Sequence, residues 1–401
     1  MLKKIAVDKL KPGMYVAKIA SQGISLHEHE REGRIKDKQT IKALMQRGVK
    51  ELYIDTEQGS DSSDAMPMEQ SEKLLDTQIK EIADTHQEQE QNVEFEKEFE
   101  KASKIHTQAL SMVGNALEAA KMGEMIELEE FDNMAENFMD SVKRNQNALA
   151  CLSRIRDKDS YLMEHSVNVA VLMSVLGKHL KLERSYLHQC VTGALLHDIG
   201  KVLIPDTILH KPGKLTPDEF TIMKRHSLYS RKILEKSNGF PQVAINVAGQ
   251  HHERLDGGGY PEGLKGDNVT KEARMASVVD IYDAITADRV YHKGMPPSAA
   301  LKRMLEWCGP HLDTQYVHAF IKAIGVYPVG SLVELESGLA GIVVEEVPGS
   351  IKPIVKVIYS LKKNSYVNVI KKDLSKSNCN DKIIKTLNPE DYGINIQDFI
   401  L

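Results

Sequence analysis

The sequence predicts a mainly α protein: a helical bundle with a small α+β module at its N-terminus and a small β-rich element at its C-terminus. Three observations predict it. Apolar residues recur at helical spacing in the middle of the chain, as in Leu110, Val113, Leu117, Phe131, Met134, Phe138, Val142 and Leu149. Residues 161–324 keep that character, punctuated by Pro205, Pro212-Gly213, Pro241, the Gly257 to Pro261 turn and Pro296-Pro297. Both ends carry short β-branched and aromatic runs instead. At 401 residues the chain is also long for a single core.

From the N-terminus, Met14-Tyr15-Val16-Ala17 follows the Pro12-Gly13 turn and reads as a strand, as does Leu52-Tyr53-Ile54. Between them Ile41, Leu44 and Met45 mark a helix face that ends at Gly48. These elements make an α+β module over residues 1–57. Gln58 to Asp64 is small and polar and reads as a mobile linker. From Glu69 to about Lys104, Glu, Gln and Lys dominate, with Leu75, Ile79, Ile82, Phe95 and Phe99 as sparse apolar residues. Residues 58–104 therefore read as a linker or exposed helix. The sharper alternative is a helix packed on the N-terminal module or on a second subunit, carrying a regulatory signal. Residues 105–326 form the helical domain with its leading helices. In 327–401, Leu332 to Leu335, Ala340 to Val344 and Val355 to Tyr359 read as strands of a small sheet.

Lys and Arg total 52 against 57 Asp and Glu, so no global field attracts a nucleic-acid polymer. Recognition of phosphate must come from local charges, bound metal included. Cys151, Cys190, Cys308 and Cys379 show no paired spacing for a thiolate zinc site or a disulfide framework, which fits a reducing compartment. No uninterrupted apolar run reaches the ~18 residues that a bilayer span needs. A cytoplasmic chain without membrane insertion is expected.

The densest chemistry lies at His197-Asp198, followed by Ile199-Gly200-Lys201, and at His251-His252, leading into Asp256-Gly257-Gly258-Gly259-Tyr260-Pro261. Adjacent nitrogen and oxygen ligands that recur downstream can hold more than one divalent cation, and paired cations are a standard device for cleaving phosphate esters. His165 continues into the face of Val169, Leu172 and Leu176, so its ring points inward. His197 and Asp198 close a helix with the apolar face Val191, Ala194 and Leu195, which Gly200 then breaks. His251 and His252 lie one turn beyond Val247 and Ala248. Asp280 sits within Val278-Val279-Asp280-Ile281-Tyr282, where an unpaired carboxylate would be costly to bury.

A core histidine taken singly is more often satisfied by a backbone carbonyl than by a metal. The two adjacent pairs, joined by His226 and Asp280, change that reading, because consecutive inward ligands diverge by about 100° on a helix and need a centre spanning both directions. Imidazole and carboxylate without thiolate suit iron, manganese or zinc. The expected cofactor is two divalent ions, Fe2+ or Mn2+, held by His165, His197, Asp198, His226, His251, His252 and Asp280, with Asp198 as bridge. Lys201 reaches the same pocket only if the helical turn continues past Gly200; the ordinary alternative is a surface lysine. The glycines at 257–259 read as a tight turn. Asp256 and Asp283 are expected to orient neighbours rather than ligate. His27, His29, His86, His106, His179, His188, His311 and His318 read as surface or structural.

Over about residues 160–326 the chain resembles the HD-GYP family, a branch of the HD metal-dependent phosphohydrolases. The resemblance rests on His165, on His197-Asp198-Ile199-Gly200-Lys201, and on Ile204-Pro205-Asp206 leading to Lys211-Pro212-Gly213-Lys214-Leu215-Thr216. It continues through His226, His251-His252-Glu253, Asp256 with Gly257 to Pro261, Gly263 to Gly266, Asp280 with Asp283, and Asp288-Arg289. It implies an HD-type bundle, with the seven residues above as metal ligands, and catalytic roles for Asp198 and Lys201. It also implies substrate contacts from Lys201, Arg289 and Tyr260. His292 stands where a second basic residue often follows the phosphate-binding arginine. Family members with three metals carry a glutamate one turn before the first histidine; Tyr161 stands there, which favours two. Lys11 to Val16 is similar to part of an uncharacterised domain often found ahead of such domains.

The implied reaction opens cyclic di-GMP, or cyclic GMP-AMP, to a linear 5′-phosphorylated dinucleotide through a hydroxide bridging the ions, while Lys201 and Arg289 offset charge on the phosphoryl oxygens. A catalytically inactive dinucleotide receptor is one alternative. Another nucleotide phosphohydrolase of the HD superfamily is a second, weakened by the Gly257 to Pro261 signature. The resemblance also raises diguanylate cyclases as partners of the signature loop, and a homodimer is left open. Neither the leaving-group acid nor a base-reading residue is legible.

Overall fold

The computed structural model describes residues 1–19, 32–46, 48–84, 93–154, 161–287, 293–347 and 350–400. The N-terminal module contains β1 (Leu2–Ala6), β2 (Tyr15–Ile19), β3 (Gly33–Arg34), α1 (Lys38–Gln46), β4 (Glu51–Asp55) and β5 (Met66–Pro67). The strands form an antiparallel sheet in the order β3-β2-β4-β1-β5. Alternation along β1 and β4 puts Ile5, Leu52 and Ile54 into a small core with Val16 and Ile41.

This module does not stop at residue 57. Strand β5 pairs with β1 through Lys3 and Lys4, and the stretch 58–64, expected to be a mobile linker, is a tied turn. Ser60 N donates to Gly13 O at 3.0 Å, and Lys3 Nζ lies 2.6 Å from Asp61 Oδ2. A side chain at Gly59 would meet Tyr15 N at 2.3 Å, so the small residues serve close packing rather than mobility.

The bundle follows. Its helices are α2 (Met68–Asp84), α3 (Phe95–Met122), α4 (Leu128–Leu152), α5 (Tyr161–His179), α6 (Arg184–Leu195), α7 (Asp206–Leu209), α8 (Pro217–Met223), α9 (Arg225–Lys236), α10 (Gln242–Gln250), α11 (Lys271–Thr286), α12 (Pro297–Glu306) and α13 (Thr314–Ile324). Helix α2, read from sequence as a linker or exposed helix, buries Ser71, Ile79 and Ala83. It packs between the N-terminal sheet and helices α12 and α13, with Lys302 Nζ 2.6 Å from Asp76 Oδ1. Its buried positions are too few and too interrupted by charge to show as an apolar stripe. Helix α3 begins at Phe95 rather than near 105, because its first turns are buried through an ion pair. Glu98, 0% exposed, accepts from Arg144 Nε and Nη2 at 2.7 and 2.9 Å and from Ser141 Oγ at 2.7 Å.

The C-terminal element has β6 (Leu332–Leu335), β7 (Leu339–Val347), β8 (Ser350–Ser360), β9 (Ser365–Asp373), β10 (Ile383–Leu387) and α14 (Gln397–Ile400), with sheet order β10-β6-β7-β8-β9. Its core of Val333, Leu335, Ile342, Val355 and Val357 is separate from that of the bundle. Among the described residues no helix is long and apolar enough to cross a membrane.

Arg144→Ala would leave the Glu98 carboxylate buried with Ser141 as its remaining hydrogen-bond donor of the three. The expected cost is about 3 kcal/mol, read as a lower urea midpoint at an unchanged slope.

Candidate metal centre

Five segments converge on one point: α5 brings His165, the turn after α6 brings His197 and Asp198, α9 brings His226, the end of α10 brings His251 and His252, and α11 brings Asp280. The HD pair does not close a helix. Helix α6 ends at Leu195, and Ile199–Leu203 continues as a 3-10 helix, so the adjacent ligands are splayed by a turn. Gly200 is needed for contact rather than as a breaker. A Cβ there would meet His226 O at 2.2 Å and Ser230 N at 2.4 Å, so α9 rests directly on the turn, and Gly200 N donates to Ser230 Oγ at 2.8 Å. The same 3-10 turn brings Lys201 Nζ against Asp198 Oδ2, which resolves the lysine's placement toward the pocket.

The side chains form two groups spanned by Asp198 and, less closely, by Asp280, whose Oδ2 lies 3.8 Å from His252 Nδ1. In the first, His165 Nε2 lies 3.0 Å from Asp280 Oδ1 and 3.3 Å from His197 Nε2. The second is His226, His251 and His252. Asp198 faces both: its Oδ2 is 3.5 Å from His165 Nε2 and 3.4 Å from His197 Nε2, while its Oδ1 is 3.3 Å from His226 Nε2 and 3.9 Å from His251 Nε2.

The outer nitrogens of four rings are held. His197 Nδ1 lies 2.8 Å from Ala194 O, His226 Nδ1 2.8 Å from Met223 O and His251 Nδ1 3.0 Å from Ala248 O. His165 Nδ1 lies 2.7 Å from Asp283 Oδ2, so Asp283 orients rather than joins the cluster. A ring that donates through Nδ1 presents a lone pair at Nε2, which is the form a metal takes. His226 Nε2, His251 Nε2 and Asp198 Oδ1 are buried without a hydrogen-bond partner among the described residues. Three orphaned acceptors converging in a dry core fit cations and little else.

The electrostatics agree. Burial pushes His226 down to about 4 and His251 down to about 3, and holds His252 well below the usual range, so these rings are neutral. Burial opposes the charge on Asp198, but Lys201 and His197 outweigh it and hold the carboxyl well below its ordinary value. Burial also lowers His165, yet hydrogen bonds to Asp280 and Asp283 carry it up to about 9. Without an ion, then, that ring keeps a proton that a cation would displace.

Tyr260, expected near substrate, packs against His252 with ring centroids 4.7 Å apart, and its backbone N donates to His252 O at 3.2 Å. Arg289 and His292, the other expected substrate contacts, lie outside the described residues. Tyr161 stacks on His165, centroids 5.8 Å apart. Sequence reasoning missed the role of Glu253. Its carboxylate accepts from the backbone of Glu262, Gly263 and Leu264 at 2.7, 3.1 and 2.9 Å, anchoring the signature loop. A carboxylate between a ligand pair and a glycine-rich turn was the available signal. Ser277 Oγ donating to His251 O had none.

A helical bundle converging on five imidazoles and two carboxylates defines a divalent-metal-dependent hydrolase. Comparison with known proteins gives the family. Residues 150–316 match a family model described as an HD domain, and residues 2–131 match one described as a domain of unknown function. A cyclic di-GMP phosphodiesterase of Pseudomonas aeruginosa is 36% identical over 386 residues, covering 96% of this chain and 92% of that relative. A probable cyclic di-GMP phosphodiesterase of Vibrio cholerae is 42% identical over 187 residues, 43% of this chain and 42% of its own length. The 3′3′-cGAMP-specific phosphodiesterase 3 of Vibrio cholerae is 38% identical over 174 residues, 43% of this chain and 37% of its own length. The chain belongs to the HD-GYP family of phosphodiesterases.

Asp283→Asn should leave the fold intact but weaken metal loading about 10–100-fold by loosening His165, as read by titration of metal-stripped protein. A second expectation concerns pH. The unfolded chain protonates His226 and His251 below about 6.5, whereas the folded chain does so only near about 4 and about 3. More protons are bound by the unfolded state across that window, so stability falls as pH falls. Glu346, raised by burial to about 7, opposes this with a single proton, and His165, raised to about 9, opposes it above about 6.5. The urea midpoint of metal-stripped protein should therefore decline steadily from pH 6.5 toward 4, with no such slope between 6.5 and 7.5.

Proposed function

We propose that this chain opens a cyclic dinucleotide to a linear 5′-phosphorylated dinucleotide, with cyclic di-GMP the first substrate and cyclic GMP-AMP the second. The seven residues His165, His197, Asp198, His226, His251, His252 and Asp280 would hold two ions, iron or manganese. The reading is carried by one observation, the Asp198 carboxylate with an oxygen turned toward each of two imidazole groups. The ions, when bound, supply Lewis-acid contact to a phosphoryl oxygen and lower the pKa of water.

The chain's own residues do the rest. His165, His197 and His251 close the inner side of the cage, with side chains 2%, 1% and 0% exposed, and exclude bulk water. His252 and Lys201, 26% and 18% exposed, mark the side from which a phosphate enters. Lys201 sits there with its ammonium against Asp198 and offsets charge that grows on the phosphoryl oxygens. Tyr260 holds the His252 ring from its outer side and keeps that entrance in shape. The choice of cyclic di-GMP is supported by the relative that is 36% identical over nearly the full chain. The uniform completeness of the ligand set disfavours an inactive receptor. Four cysteines without a disulfide support a reducing, cytoplasmic setting.

Asp198→Ala and His197→Ala should each abolish turnover of cyclic di-GMP, followed by chromatography of the linear product. Lys201→Ala should lower kcat about 100-fold or more with metal content unchanged. Chelation should silence the parent enzyme, and Mn2+ or Fe2+ should restore it. Hydrolysis surviving in purified Asp198→Ala/His197→Ala protein would contradict the assignment.

A further inference from the structure

The two faces of the N-terminal sheet have different chemistry. Ile5, Leu52 and Ile54 point into an apolar core that runs from Ile5 to Ala65, so the module closes that core on itself. Lys4 and Tyr53 are directly opposed across β1 and β4, and alternation turns both to the other face, toward the bundle. There they meet one group, the Glu306 carboxylate at the end of α12. Tyr53 Oη donates to its Oε1 at 3.0 Å, and Lys4 Nζ lies 3.6 Å from the same oxygen. The Glu306 side chain is 7% exposed, and Arg303 Nη1 donates to its second oxygen at 3.0 Å.

The module meets the bundle at a second place. Ahead of β4, Gly48 passes the signature loop so closely that a Cβ on it would stand 3.7 Å from Asp256 Oδ2. A Cβ on Gly309, in the connection between α12 and α13, would stand 3.7 Å from Lys50 Nζ. Asp256 ties the loop together. Its N donates to Pro310 O at 2.8 Å, its Oδ1 accepts from Gly258 N at 2.8 Å, and Arg254 grips its two oxygens at 3.1 and 2.5 Å.

The loop needs such support. Its run of glycines, Gly257 to Gly259, loses more backbone freedom on ordering than other residues would. The ligand that it serves is also anchored differently from the rest. His165, His197, His226 and His251 are each held at Nδ1 by a hydrogen bond, whereas His252, 26% exposed, is backed by the Tyr260 ring that the loop carries. An interface between folding units that is made by charged and polar groups resembles a transient one and lets the two sides move relative to each other.

We propose that the N-terminal module is a positioning clamp for the signature loop. Docked on Glu306 and against Asp256, it fixes the loop that backs His252; undocked, it slackens that loop and slows turnover. Lys4, Tyr53 and Glu306 are then positioning residues for the reaction. The reaction itself rests on the phosphodiesterase reading above; the docking does not.

The variant of choice is Lys4→Met/Tyr53→Phe in the full chain, which removes the two module groups that reach Glu306 and keeps the apolar bulk of each side chain. Peptide-resolved hydrogen exchange should rise about tenfold or more across residues 254–266 and stay at the parent's rate in α5 and α11. With metal content equal to the parent's, kcat on cyclic di-GMP should fall about tenfold. Glu306→Ala should do the same from the bundle side, and all three substitutions together should add nothing further, because they break one path. Loop exchange equal to the parent's, an unchanged kcat, or losses that add in the combined variant each overturn the clamp. So does exchange that rises equally in α5 and α11, the mark of lost stability alone. A parent that does not hydrolyse cyclic di-GMP overturns the phosphodiesterase reading instead, and loop exchange then decides the docking by itself.

Discussion

The Asp198 carboxylate is the constraint on which the rest of the bundle depends. Its side chain is 1% exposed, and each of its oxygens faces a different set of imidazoles. A buried carboxylate carries a desolvation cost that only close positive charge can offset. Lys201 supplies one such charge from the solvent side, and divalent ions held by these residues would supply the remainder. Remove that carboxylate and both imidazole groups lose the acceptor that faces each of them at close range.

Holding the carboxylate there dictates the packing around it. The 3-10 turn that carries it must approach α9 so closely that no Cβ fits at Gly200, and the turn is pinned to α9 by the Ser230 hydroxyl. The rings are fixed from behind by helix carbonyls three residues earlier, Ala194 for His197, Met223 for His226 and Ala248 for His251. Helix ends are where such carbonyls lack an intrahelical partner, so an imidazole placed just past a helix can satisfy one and be oriented by it. The cage is in this sense a product of helix termini. His165, mid-helix within α5, has no free carbonyl to use and takes Asp283 from α11 instead.

Much of the centre was legible because adjacency of ligand residue types survives in the sequence whatever the fold. His197-Asp198 and His251-His252 announce a polar point inside apolar runs, and the strongly periodic helices around them set the fold class. The failures have a common cause. Helix α2 and the first turns of α3 are buried through Glu98, Arg144 and scattered small residues, and a charged residue buried by pairing has the same letter as one in water. Strand β9 was missed since most of its side chains are exposed, and β10 since its exposed residues and its buried ones each come side by side, so neither shows the alternation that marks a half-buried strand. The strands β1, β3 and β5 are short or charged, and long-range pairing, of β1 with β4, β3 with β2 and β5 with β1, holds them rather than any local preference. Residues that act through backbone contacts, such as Ser277 on His251 O, leave no pattern at all.

The N-terminal module is continuous with this architecture through a short chain of contacts. Tyr53 Oη donates to Glu306 Oε1 at 3.0 Å and Lys4 Nζ lies 3.6 Å from the same oxygen, so β4 and β1 both end on the last residue of α12. Just beyond it, Pro310 O accepts from Asp256 N at 2.8 Å, and Asp256 caps Gly258 N in the signature loop. That loop then carries Tyr260 onto His252, the exposed edge of the cage. Tyr53 is buried, and burial together with Glu306 pushes its hydroxyl up beyond the ordinary tyrosine value, so it is a neutral donor at neutral pH. The module thus bears on the centre through packing, hydrogen bonds and the Lys4–Glu306 ion pair. Its sheet sets where α12 ends, and the end of α12 sets where the loop beside His252 can sit.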